Sequence, residues 1–248
     1  MKETRLIMGM PVTVEIVDPS ATTSTLESVF NYFVEIDERF STYKPASEIS
    51  RLNQGEVFLE HTHPDMQTIF GLAEQTRQDT EGYFNIWQGD HFDPSGIVKG
   101  WAIYQAAEQL AAQGVKDFYI DAGSDIEARG LSATGEPWRV GIRHPFSSGE
   151  IVKVLSVSNR GVATSGTYER GQHIYNPHQP NQPLTQIVSL TVIGPNIYEA
   201  DRYATAAFAM GQRGIAFIDQ LPGFEGYMID RDGLATYTTG FEQFTVQV

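Results

Sequence analysis

The chain contains no cysteine. Disulfides, thiolate nucleophiles and zinc–thiolate sites are therefore excluded. No stretch approaches the roughly 20 apolar residues that a membrane-spanning helix needs. The first eight residues carry neither an apolar run of signal-peptide length nor a lipid-acceptor cysteine. The expectation is a cytoplasmic chain without a membrane anchor. Basic residues are scarce: 17 Lys and Arg stand against 31 Asp and Glu, for a formal net charge of −14. Such an acidic surface disfavours nucleic acid and anionic membranes as partners. An anionic ligand would have to be held by local devices: a metal, helix N-termini or a few placed cations. The 248 residues are enough for a sizeable core, and residues 1–248 read as one domain.

No long linker, repeat or low-complexity tract interrupts the chain. Residues 10–17 alternate, with Val12, Val14 and Ile16 on one side, and read as a strand. Ser24 and Glu27 have the spacing of a capping box. Behind them Leu26, Val29, Phe30, Phe33, Ile36 and Phe40 recur at helical spacing as a core stripe. A second helix opens at Pro64 and turns Met66, Ile69, Phe70 and Ala73 inward. Residues 94–113 read as a third, with Ile103, Ala106, Ala107 and Leu110 buried and Gly114 as its stop. Strands are expected at 118–121, 138–142, 151–157 and 187–193. Asn196 and Glu199 open a fourth helix, 214–220 forms a short one, and 224–229 with 235–237 closes as a hairpin around Asp230-Arg231-Asp232-Gly233. Strands and helices are interspersed without strict alternation, which favours α+β with mixed or antiparallel sheets.

Asp201 and Thr205 stand four apart on the fourth helix, so one face can present two oxygens to one ion. Hard oxygen ligands suit Mg²⁺, and protein-bound Mg²⁺ commonly works on phosphates. Such a pair also occurs on ordinary solvated helices. Asp93-Pro94-Ser95-Gly96 opens the third helix. It reads either as a plain cap or as a phosphate or metal site at free N–H groups, with the Gly96 carbonyl able to coordinate and Lys99 one turn in. Ala163-Thr164-Ser165-Gly166 ends a strand and reads as an ordinary loop or as a cradle of backbone N–H groups for an anion. Tyr43, Tyr83 and Phe84 supply flat faces for core packing or for a stacked ring. His61 and His63 alternate as metal ligands do, but sit in a Pro-flanked loop with no third ligand nearby. His173 is a group that titrates near neutrality without a large shift.

Seven blocks stand out along the chain. They are Met8-Gly9-Met10-Pro11-Val12-Thr13-Val14, the run from Phe40-Ser41-Thr42-Tyr43 to Arg51-Leu52-Asn53, and Gly82-Tyr83-Phe84-Asn85. Next come Asp93 to Trp101, Ala163 to Arg170, His173-Ile174-Tyr175-Asn176-Pro177, and Asp201 to Thr205. In this order they resemble the ApbE family of FAD:protein FMN transferases. The resemblance implies a single α+β domain that moves FMN from FAD to a Thr or Ser hydroxyl of an acceptor flavoprotein. It implies Mg²⁺ held by Asp201, Thr205 and the Gly96 carbonyl, with His173 and Asp201 catalytic. It also implies flavin-nucleotide contacts from Met8, Tyr43, Tyr83, Phe84, Asn85, Asp93, Lys99, Leu184 and the Thr164-Ser165-Gly166 segment.

Three positions depart from the family pattern: Asn85, Thr167 and Asn176 stand where Asp is usual. Asn keeps hydrogen bonding but loses charge. Two alternatives follow, an FAD pyrophosphatase giving FMN and AMP, and a flavin binder without turnover.

Overall fold

Alternating apolar residues build the centre of the molecule. In the computed structural model, which describes residues 1–19, 21–167 and 174–246, β1 (Lys2–Ile7) and β2 (Met10–Ile16) form a hairpin. Three helices follow, α1 (Thr23–Phe40), α2 (Glu48–Asn53) and α3 (Pro64–Asp79). A small hairpin of β3 (Trp87–Gln88) and β4 (His91–Phe92) leads into α4 (Ser95–Ala112). Then come β5 (Phe118–Ala122), β6 (Asp125–Arg129), β7 (Trp138–Arg143), β8 (Ile151–Val157), β9 (Arg160–Gly166) and β10 (Ile187–Gly194). The chain closes with α5 (Ile197–Ala209), α6 (Gly214–Asp219), β11 (Glu225–Asp230) and β12 (Ala235–Tyr237).

Eight strands make one sheet in the order β1-β2-β5-β6-β9-β10-β11-β12, and its described pairings are antiparallel. The α+β expectation holds. Helices cover one face. There Val12, Val14, Ile120, Leu190 and Val192 of the sheet share a core with Phe30 and Phe33 of α1, Leu110 of α4 and Phe208 of α5. The β7–β8 hairpin covers the other face, where Ile126, Ala128, Val162 and Ile193 meet Val140, Ile142, Leu155 and Val157.

This layering decides where β6 points its acids. Ile126 and Ala128 face the hairpin, so Asp125 and Glu127 face the helices. Both carboxylates are fully buried. The two-residue turn before them, Gly123 (φ +60°) and Ser124 (φ +74°), has the positive φ values that a tight hairpin requires. The Ser124 N–H donates to Asp121 Oδ1 at 2.9 Å, which steadies an uncommon conformation for a non-glycine residue.

One local expectation is corrected. The capping box of α1 lies two residues upstream, where Thr22 Oγ1 accepts the Thr25 N–H at 3.3 Å. Glu27 is drawn away by a two-pronged pair with Arg5. The segment 164–166 ends a strand as expected, at the close of β9 and laddered to β10. Asn196 caps α5 as expected, its side chain accepting the Glu199 N–H at 2.9 Å.

Candidate active site

The site is built where α4 and α5 touch. Gly100 on α4 faces Asp201 on α5. A Cβ on Gly100 would lie 2.5 Å from Asp201 Cβ and 3.0 Å from the Ile197 carbonyl oxygen, so only glycine permits this approach. The Gly100 N–H donates to Asp201 Oδ2 at 2.8 Å. In a regular helix that N–H would serve the Gly96 carbonyl. The bond to Asp201 competes with that helical bond. Gly96 itself sits between Thr205 and Phe84: a Cβ there would be 3.3 Å from Thr205 Cγ2 and 3.4 Å from Phe84 Cε2.

Beneath Asp201 lies a second acid. Asp125 Oδ1 accepts the Thr164 N–H at 3.1 Å, and Oδ2 is 2.5 Å from the Lys99 ammonium. Asp201 is 4% exposed. Burial, and then repulsion from Asp125, push it well above the usual carboxylate range, against the pull of Lys99 and the Gly100 N–H. Two buried carboxylates thus share one ammonium.

This floor opens into a cleft of about 950 Å³, counting the solvent at its mouth. Tyr83, Phe84, Asn85, Gln88 and Asp93 line one side, and Thr164, Ser165, Gly166, Ile174 and Tyr175 also line it. Local bonds fix the rim. Asp93 Oδ1 accepts the Ser95 N–H at 3.0 Å, Asn85 Oδ1 accepts the Trp87 N–H at 3.0 Å, and the Tyr175 hydroxyl donates to the Trp87 carbonyl at 2.8 Å. Tyr83 meets His178 edge-to-face at 4.6 Å and accepts a bond from Arg213 at its hydroxyl.

The residues present fit Mg²⁺. The donors are carboxylate, hydroxyl and backbone oxygen, which is the set a hard cation prefers. A cation would also offset the burial and the repulsion from Asp125 that disfavour the ionised form of Asp201. Among the described residues no three His, Cys, Asp or Glu side chains converge. His63 instead caps α3, its Nδ1 accepting the Asp65 N–H at 3.2 Å.

The ApbE family profile matches residues 8–91 and 88–228. The chain belongs to the ApbE family. An FAD:protein FMN transferase from Vibrio cholerae is 26% identical over 287 aligned positions, covering 90% of this chain and 86% of that protein. Solved structures share the fold. The flavin transferase ApbE of Vibrio cholerae superposes with a TM-score of 0.84 at 22% identity, covering 98% of both chains. An ApbE protein from Thermotoga maritima gives 0.86 at 18% identity, covering 100% of this chain and 99% of that one.

In this ApbE-family chain the cleft brings together Tyr83, Phe84, Asn85, Asp93, Gly96, Lys99, Thr164, Ser165, Gly166, Asp201 and Thr205. Three expected contacts stand apart from it. Tyr43 is 94% exposed in the turn after α1. Met8 turns the β1–β2 hairpin at φ +56° and, like Leu184, is half-buried against the main core. His173 lies outside the described residues. Sequence reasoning missed Gln88, Tyr175 and above all Asp125. The signal for Asp125 was an acid directly after Gly123-Ser124, at the mouth of a tight turn. One expected N–H of the cradle, that of Thr164, is already committed to Asp125.

Lys99 is engaged with Asp125 before any ligand arrives. Lys99→Ala should therefore destabilise the ligand-free chain by about 3–5 kcal/mol, the usual cost of stranding a buried charge. Added Mg²⁺ should recover part of that loss by taking the ammonium's place. A melting temperature within 1 °C of wild type, measured without metal, would contradict this assignment; the expected fall is about 6–20 °C.

Proposed function

We propose that the chain is an Mg²⁺-dependent FAD:protein FMN transferase. It takes FMN from FAD to a Thr or Ser hydroxyl of an acceptor flavoprotein and releases AMP. One observation carries the reading: the hard-oxygen set of Asp201, Thr205 and the Gly96 carbonyl shares a cleft with an aromatic wall and the end of β9. The name of the Vibrio cholerae relative, FAD:protein FMN transferase, describes FMN transfer from FAD to protein in that protein.

Asp201, Thr205 and Gly96 would hold Mg²⁺, which supplies charge neutralisation on the pyrophosphate when bound. Tyr83 and Phe84 offer faces for a ring, and Ser165 and Gly166 would border the phosphates. The acceptor oxygen forms a bond to the FMN-side phosphorus. The bond from that phosphorus to the bridging oxygen breaks, and AMP leaves with the electron pair. The hydroxyl proton goes to His173, assigned from its place in the His173-Ile174-Tyr175-Asn176-Pro177 block. Incubation with FAD, Mg²⁺ and a Thr-bearing acceptor, read by intact mass and AMP release, tests the reading. Free FMN and AMP without a labelled acceptor would make the chain a pyrophosphatase. Unchanged FAD under every condition would leave a binder.

If His173 is the base, His173→Ala should lower kcat by about 10²–10⁴. FAD affinity should barely change, because the role lies in the transition state. A variant that binds FAD worse by the same factor, yet keeps the pH limb of the wild type, would make His173 a phosphate ligand instead.

A further inference from the structure

The residue next to Asp201 has no part in the chemistry above, yet it is among the most heavily bonded side chains described. Arg202 is 7% exposed. Its Nη1 donates to Asp79 Oδ2 at 2.9 Å and to Thr76 Oγ1 at 3.2 Å, both on α3. Its Nε donates to Glu199 Oε2 at 2.9 Å and its Nη2 to the Tyr203 hydroxyl at 2.9 Å. One guanidinium therefore grips two positions of its own helix and the last turn of another. Its planar fork allows this; an ammonium could not reach all four partners.

Asp79 ends α3, and the cleft wall begins four residues later. The connection is stiff. Thr80 Oγ1 donates to the Thr76 carbonyl at 2.7 Å and accepts the Phe84 N–H at 3.1 Å. The Gly82 N–H returns to the Arg77 carbonyl at 2.7 Å. A displacement at Asp79 is thus carried to Tyr83, Phe84 and Asn85 rather than absorbed. Past the far end of α5, Arg213 bonds the Tyr83 hydroxyl and lies 5.5 Å from the ring centroid. The helix with the oxygen ligands and the wall with the aromatic faces are tied twice.

We propose that Arg202 is a positioning residue of the cleft: with Asp79 it sets the gap between Asp201 and Thr205 on α5 and the Tyr83–Asn85 wall. The proposal rests on the FAD and Mg²⁺ reading for its kinetic consequence and on geometry alone for the clamp. Arg202→Lys keeps the charge and loses the fork. Asp79→Asn keeps the shape and loses the charge. Both should remain folded, with cooperative melts. In Arg202→Lys, KM and Kd for FAD should rise about tenfold and kcat fall about 10–100-fold, as misplacement by an ångström does. Asp79→Asn should do the same more mildly, and the double variant should be little worse than Arg202→Lys, because both break one contact. Hydrogen exchange at residues 80–86 should quicken in both variants without ligand. A folded Arg202→Lys with wild-type KM, Kd and exchange overturns the proposal. So does a loss of active fraction with KM and Kd unchanged, which is what a merely structural arginine gives. If the wild type binds no FAD, the flavin reading falls, and exchange at 80–86 still decides the clamp: unchanged protection in Arg202→Lys overturns it.

Discussion

Asp201→Asn should lower Mg²⁺-dependent turnover by about 10³ or more, since a bound cation supplies several kcal/mol of transition-state charge stabilisation. Asn keeps an acceptor for the Gly100 N–H, so the α4–α5 contact survives. What it loses is the charge that would hold the cation. The same substitution should leave the metal-free fold as stable as wild type or more so, because it removes a buried carboxylate that burial and Asp125 oppose. The sign of the pH dependence follows. In the metal-free wild type Asp201 holds its proton to higher pH than it does unfolded, so the folded state binds more protons in that window. Stability therefore falls as pH rises from the ordinary carboxylate range through the raised value of Asp201. Asp201→Asn should flatten that slope. Mg²⁺ should raise the wild-type melting temperature and leave that of the variant unmoved. Turnover that survives in Asp201→Asn, with and without chelator, would remove Asp201 from the site.

The parts of the fold that the sequence exposed are those whose faces differ in polarity. α1 and α4 show apolar stripes, and the expected residues are all buried, although the first half of α4 also buries Ile97, Val98, Gly100, Trp101 and Ala102. Asn196 announces α5 because a cap needs only local atoms. β6 hid for the opposite reason. Its helix-facing positions are Asp125, Glu127 and Arg129, so the strand presents acid where apolar residues are expected. Those acids are tolerated because each is spoken for: Glu127 accepts the Ile197 N–H at 2.7 Å and pairs with Arg129 at 2.5 Å. Nothing within a few residues of Glu127 reveals that its partner is a helix 70 positions away.

The candidate site divides in the same way. Asp201 and Thr205 are legible as one helical face, and Asp93 to Lys99 as a helix start. That the two meet depends on Gly100 and on the sheet order that brings β6 and β9 beneath α5. The Lys99–Asp125 pair could not be read from either residue, since 26 positions and the whole of β5 separate them. Tyr43 shows how far a matching block reaches: its ring stands exposed beside the end of α1 and away from the cleft lining.

Gly161→Ala should cost more stability than a methyl group ordinarily does. Gly161 lies on β9 directly beneath the start of α5. A Cβ there would be 2.1 Å from the Ile197 nitrogen and 2.2 Å from the Asn196 carbonyl carbon. These are backbone atoms, and no rotamer change can clear them. Overpacking costs typically about 1–3 kcal/mol where side chains can shift, and this contact belongs at or beyond the upper end. The displacement would also lift the Ile197 N–H from Glu127, leaving one oxygen of a buried carboxylate unpaired, for about 1–3 kcal/mol more. A total near 4 kcal/mol corresponds to a fall in melting temperature of about 8–16 °C for a chain of this size. Gly71→Ala is the control. Gly71 is exposed in mid-α3 with nothing within 4 Å of a Cβ, so alanine should stabilise it by about 0.5–1 kcal/mol. Because α5 carries Asp201 and Thr205, Gly161→Ala should also weaken the rise in melting temperature that Mg²⁺ gives, whereas Gly71→Ala should preserve it. Thermal melts of both variants, with and without Mg²⁺, decide the matter. If Gly161→Ala melts within 2 °C of wild type, α5 is not seated on β9 by that glycine, and the seating of the oxygen ligands must come from Gly100 alone.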